Sequence, residues 1–244
     1  MKSGEIQRFF DSIPALDWVG DPLGTGRLAE QKLRELASNK ALFRELLEAV
    51  LHNQSFWQKC EEDLVEDKIV LWDDQDKGLH LRLRMATAPQ QSLAHSHRFS
   101  FTNLVLRGRY VHWQYRPLAG FNELTNLDEV KEVLMMDEKA GDCFTIHHEA
   151  LHSTPFTEHH TISLVLRGNP VKRRAPVMFK EPRGRQEAIS NIRGMDHEPG
   201  HALPGDMFWR VGEEEESAER RKECRMSLER YSYWLRTLAV YELI

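Results

Sequence analysis

The chain has 244 residues, with 33 Lys and Arg against 38 Asp and Glu, 12 His and only three Cys. That length suggests one domain with sizeable extensions, and a core of this size needs no disulfide staple. A net charge of −5 argues against a general nucleic-acid binder, no apolar run approaches a membrane span, and Met1–Glu5 lacks the apolar segment of a secretory signal, so the expected setting is a reducing cytoplasm with free thiols.

Residues 1–65 read as an N-terminal helical extension. Leu42, Phe43, Leu46, Leu47, Val50 and Leu51 make one apolar helical stripe, with Asn39 as its N-cap. Leu28, Leu33 and Leu36 suggest a preceding helix, and Gly24-Thr25-Gly26 reads as a turn. Residues 66–180 have strand texture. Lys68–Trp72 is strand-like, Asp73–Gly78 is a turn cluster, and Leu79, Leu81, Leu83 and Met85 alternate with His80, Arg82 and Arg84. Further strands are expected near 98–107, 109–116, 143–147 and 161–168, and a short helix at 126–136. Leu104-Val105-Leu106-Arg107-Gly108 recurs as Leu164-Val165-Leu166-Arg167-Gly168, each copy after a histidine cluster, which suggests a duplicated β-unit. Residues 181–212 are rich in Gly and Pro and read as an irregular loop that could act as a lid. Glu213–Glu216 suits the positive end of a helix dipole and opens a C-terminal helix over 213–244, with Leu228, Tyr231, Leu235 and Leu238 as its buried stripe.

The histidines carry the chemistry. His95 and His97 are two residues apart, so on an extended segment both imidazoles face one point, a usable pair of metal ligands. A second cluster runs from Gly141 to His152. Together the two stretches resemble the cupin superfamily. The first cupin motif is a glycine, five residues, HxH, three or four residues, a glutamate, six residues and a glycine. His95, His97 and Gly108 match it, with Phe101 at the glutamate position and Pro89 at the leading glycine. Gly141 and His152 match the second motif, with His147 and Glu149 at its proline and glycine and Phe156 at its trailing asparagine. The resemblance covers residues 68–180. It implies a mainly β fold, a cupin-type double-stranded β-helix (jelly-roll) barrel flanked by the N-terminal helices and a C-terminal helix, with a metal held inside by His95, His97 and His152. Without the glutamate such a site resembles those of cupin thiol dioxygenases and of some diketone- or aromatic-cleaving cupins, which use Fe(II) and O2. The thiol-dioxygenase resemblance is partial. Of that family's Ser-x-His-x-Tyr run, Ser163–Arg167 keeps only the serine, and strand 68–72 has no arginine.

Period-2 alternation puts Phe101, Asn103, Val105 and Arg107 on one face, and Thr161, Ser163, Val165 and Arg167 on the matching face of the repeat. Arg82 and Arg84 join them if the leucines of their strand face the helices. The expected substrate-binding set is therefore Arg107, Arg167, Arg82, Arg84, Asn103, Ser163 and Phe101, and arginine forks suit an anionic or zwitterionic molecule. The expected function is a mononuclear non-heme Fe(II) oxygenase that oxidises a small polar metabolite with O2. No catalytic side chain beyond the ligands and no nucleic-acid or membrane partner is expected; a homodimer stays open. The alternatives are a non-redox isomerase or lyase using Zn, Ni or Mn, and a non-catalytic ligand-binding cupin. His148–His152 also spells HExxH, the zinc-peptidase signature, which requires a helix. Gly141, Pro155 and the strand-like Cys143–Ile146 argue against one. His112 could line the barrel, one of His159 and His160 could face the pocket, and His147 and His148 read as loop or outer residues.

Overall fold

The computed structural model describes residues 4–64, 66–88, 94–117, 130–173, 175–179, 207–211, 222 and 224–244. Four helices come first: α1 Gly4–Asp11, α2 Pro22–Ser38, α3 Lys40–Leu51 and α4 Gln54–Trp57. Asn39 separates α2 from α3 and caps the latter, its Oδ1 accepting from Leu42 N–H at 3.0 Å. Gly24-Thr25-Gly26 is not a turn but the start of α2. Pro22 pre-sets the first helical residue, and Asp21 caps it by accepting from Gly24 N–H at 2.9 Å. Gly26 lets the helix approach the sheet closely, because a Cβ there would lie 2.7 Å from Thr145 Oγ1.

The strands are β1 Glu66–Asp74, β2 Leu79–Ala86, β3 Phe101–Arg107, β4 Arg109–Pro117, β5 Val130–Lys139, β6 Cys143–Ile146, β7 Leu151–Thr157, β8 Ile162–Arg167, β9 Ala175–Phe179 and β10 Met207–Val211. One antiparallel sheet has the order β1-β2-β8-β3-β6 and a second the order β5-β4-β7, while β9 and β10 form a two-stranded ribbon. The two sheets face each other: Tyr110 Oη on β4 lies 3.1 Å from Ser163 Oγ on β8, and the His112 ring on β4 lies 5.0 Å from that of Phe144 on β6. This is the expected jelly-roll arrangement of two antiparallel sheets, with helices before and after them in the described chain. The repeated pentapeptides are neighbours in it, with Leu104 of β3 directly opposite Leu164 of β8.

Three expectations change. The described part of the expected helix at 126–136 is strand, since β5 pairs with β4 along its length and tertiary pairing overrides the helix-favouring Lys, Glu, Leu and Met; residues 126–129 lie outside the described residues. Within 181–212, Met207–Val211 is a strand; residues 181–206 and 212 lie outside the described set. The C-terminal helix, α5, spans Leu228–Val240, with the Ser227 side chain capping Arg230 N–H at 3.2 Å. Leu228 is exposed, and Trp234, absent from the expected stripe, is fully buried. Glu213–Glu216 lies outside the described residues.

The larger core lies on the outside of the five-stranded sheet. Leu81, Leu83, Leu104, Ile162 and Leu164 pack against Phe9, Leu33, Phe43 and Leu47 of the N-terminal helices and Tyr231, Trp234 and Leu238 of α5. Inside, only a small cluster of Phe101, Ile146 and Val165 forms, with Phe99 and Phe144 against it. The strands of this sheet thus put leucines outward, and inward a mixture of this small apolar cluster with Asn103, Ser163 and Arg167. Among the described residues no helix is long and apolar enough to cross a membrane.

Candidate metal centre

The segment before β3 docks on β7. His95 N–H donates to His152 O at 2.8 Å, and His152 N–H donates to His95 O at 2.9 Å. This two-bond clasp brings the HxH pair against the third histidine. The rings of His95, His97 and His152 lie 4.6–4.9 Å apart between centroids. One nitrogen from each falls within 4.8 Å of the others, and the Nε2 atoms of His97 and His152 approach to 2.7 Å. Burial, reinforced by the neighbouring His95 imidazole, holds His97 and His152 well below the usual histidine pKa. Both rings are therefore neutral at pH 7 and offer lone pairs, the form that binds a metal.

Phe101 is buried where the motif would carry a glutamate, its ring 4.8 Å from that of His97 and 6.3 Å from that of His152. No carboxylate joins the cluster among the described residues. A carboxylate does stand behind it. His112 Nε2 lies 2.9 Å from His152 Nδ1, and His112 Nδ1 lies 3.2 Å from Glu138 Oε1. Glu138 Oε2 is buried without a hydrogen-bond partner. A buried carboxyl with one oxygen unbonded, behind three converging imidazoles, fits a divalent cation among them, which would supply positive charge.

The cross-strand register assigns the expected substrate residues. Phe101 faces Arg167, Asn103 faces Val165 and Val105 faces Ser163, so these share the interior face, and on β2 His80, Arg82 and Arg84 lie opposite Arg167, Val165 and Ser163. Arg82 donates to Asp73 Oδ1 at 3.0 Å and to Trp72 O at 2.9 Å. Arg84 is bound by both Nε and Nη2 to Glu66 Oε2. Asn103 Nδ2 is buried without a partner, while Ser163 bonds Tyr110. A register shift between Val105 and Arg107 turns the latter out of this row. Its guanidinium donates to His160 O at 2.8 Å and lies 4.0 Å from the Tyr241 ring, beside α5. Arg167 is different. It donates to Gly168 O at 3.1 Å and lies over the Phe99 ring at 4.4 Å, but has no carboxylate partner among the described residues. Burial, then the nearby Arg82, lowers its pKa to about 10, so it stays charged at pH 7.

Other histidines take quieter places. His148 and Glu149 occupy a turn and His152 a strand, so the HExxH stretch lacks the helical turn a zinc peptidase needs, and that reading falls. His148 Nδ1 lies 3.0 Å from Ser100 Oγ. His160 bonds the hydroxyls of Tyr241 and Tyr233 at 2.7 and 3.0 Å. Glu138 lay between the expected helix at 126–136 and the expected strand at 143–147, so its role was hidden, and Phe99, under Arg167, carries no sequence signal beyond its place beside His97.

No family model matches the chain, and no curated protein matches it. Among solved structures it is similar to an RmlC-like cupin from Shewanella frigidimarina, at 15% identity over 46% of this chain and 85% of that one, with a TM-score of 0.34. It is also similar to KdgF from Halomonas sp. (12% identity, 46% and 88%, TM-score 0.32) and to ectoine synthase from P. lautus (11%, 52% and 77%, TM-score 0.33). These partial likenesses concern the fold alone. Strand order and converging histidines define the class here: a two-sheet antiparallel jelly-roll with a candidate three-histidine metal site.

Proposed function

We propose that the protein is a mononuclear non-heme Fe(II)-dependent oxygenase acting on a small anionic or zwitterionic metabolite with O2. The observation that carries this reading is the convergence of three imidazoles with an apolar Phe101 in place of a carboxylate ligand. His95, His97 and His152 would hold the iron, which when bound supplies redox chemistry and open coordination positions. Phe101 walls one side and leaves the charge of the metal unreduced. Arg167 has no carboxylate partner among the described residues and lies over Phe99, so the donors not used on Gly168 O suit a substrate carboxylate or phosphate. Arg82 and Arg84 are already paired with Asp73 and Glu66 and serve as walls. The buried amide of Asn103 offers a donor deeper in the cavity.

The test is anaerobic loading of metal-free protein with Fe(II), followed by O2 uptake across a panel of amino acids, thiols, hydroxyaromatics and N-hydroxy compounds. Substrate-dependent O2 consumption is expected, with iron binding lost in His95→Ala, His97→Ala and His152→Ala. Full iron retention in all three variants overturns the site. Removing one charged hydrogen-bond donor costs about 1.5–3 kcal/mol, so Arg167→Leu should raise KM roughly tenfold or more for an anionic substrate; unchanged KM removes the anion role. A second reading, a non-redox isomerase or lyase, is favoured by the same ligand set, because three neutral imidazoles also make a catalytic zinc site. Tight zinc with no O2 turnover selects it.

A further inference from the structure

With Glu138 as a carboxylate and His112 as an uncharged imidazole, the row behind the metal centre has one set of donors. Glu138 ends it, and a carboxylate only accepts, so His112 donates to it from Nδ1. A neutral His112 then accepts at Nε2, and His152 donates from Nδ1. The Nε2 lone pair of His152 is left facing His97 and His95. His112 is fully buried and Glu138 nearly so, and among the described residues no lysine or arginine pairs with Glu138. One of its carboxylate oxygens has no hydrogen-bond partner among the described residues. Glu138 reaches the interior because β5 pairs with β4 so that it lies opposite Tyr110, two residues from His112 on the same face.

We infer that Glu138 and His112 are positioning residues of the metal centre: they lock His152 in its Nδ1–H tautomer and supply, one imidazole removed, the negative charge that Phe101 has taken out of the ligand set. The inference rests on the reading of His95, His97 and His152 as metal ligands. The charge strengthens His152 as a donor relative to a histidine bonded to a neutral group, and the row fixes its ring plane. It also leaves the coordination sphere one ligand poorer than a histidine-plus-glutamate site without leaving the cavity without a carboxylate. In turn, a dication at the histidines balances a buried anion that otherwise accepts only one hydrogen bond.

Two readouts test this without reference to turnover. In the metal-free protein, two-bond 1H–15N spectra should show His152 protonated on Nδ1, and Glu138→Gln and His112→Phe should shift it towards the Nε2–H form or a mixture. With Co(II) as the probe, Glu138→Gln and His112→Phe should weaken binding about ten- to a hundredfold and change the visible spectrum of the bound ion. His112→Gln, which keeps an acceptor for His152 Nδ1, should recover part of the loss. Glu138→Gln is nearly isosteric, so it decides the matter even if His112→Phe does not fold. Co(II) affinity within twofold of wild type in Glu138→Gln, with an unchanged His152 tautomer, overturns the relay. Wild-type protein that binds no Co(II) overturns the metal reading itself, and the inference with it.

Discussion

Asp73 sits at the end of β1, and three side chains converge on it: His80, Arg82 and Lys59. Burial by itself would raise the pKa of its carboxyl. The hydrogen bonds from His80, Lys59 and Arg82 outweigh that and hold it well below the usual carboxylate range. A carboxyl depressed in the folded state contributes stability that is complete above the unfolded value, near 4, and is lost as pH falls below it. Asp73→Asn should therefore cost about 3–5 kcal/mol at pH 7, because it leaves Arg82 buried without its counter-charge. The gap from wild type should narrow towards pH 3.5. Urea unfolding at the two pH values checks this, and a gap of equal size at both refutes it. At this scale the sequence was readable wherever one strand sufficed. His95 and His97 declare themselves by spacing, and the inward direction of Arg82 and Arg84 follows from the leucines between them. Their engagement by Asp73 and Glu66 does not, since that depends on which strand lies alongside.

Gly108 joins β3 to β4 with φ +83°, and a Cβ there would lie 2.4 Å from Thr161 Oγ1 and 2.6 Å from its Cα. Gly141 has a similar φ of +95°, but nothing lies within 4 Å of its would-be Cβ. Alanine at Gly141 should cost about 1–2 kcal/mol for the left-handed backbone alone. Alanine at Gly108 meets backbone as well as side chain and should cost clearly more. Denaturant midpoints of the two variants separate strain from clash, and equal losses would contradict the clash. Elements with strong local signals were legible: α3 with its cap, the β1–β2 hairpin, and the paired pentapeptides of β3 and β8. β5 was not, because Val130–Lys139 has a helix-favouring composition and only its pairing with β4 makes it a strand. The expected strands also left out 137–142, so Glu138 and the row behind His152 went unread.

In the whole molecule, the main apolar cluster and the candidate site occupy opposite faces of one sheet. Trp234 anchors α5 on the outer side, its Nε1–H donating to buried Asp67 Oδ2 at 2.5 Å. Trp234→Ala should lower stability by about 3–5 kcal/mol. Co(II) affinity of the folded protein should remain as in wild type, since no described contact joins this residue to His95, His97 or His152. Isothermal titration beside urea unfolding measures both, and a coupled loss of affinity would show the two faces are not independent.

That separation bears on how such a protein can change over time. Cavities that do chemistry usually inherit their shape from the same side chains that keep the chain folded, so novelty and solubility compete. Here the leucines of β2, β3 and β8 face helices, and the inward positions between them carry only a small apolar cluster. Under the proposed function, substitutions at Arg167 or Asn103 can explore new substrates with the scaffold's reserve of stability held on the far side of the sheet.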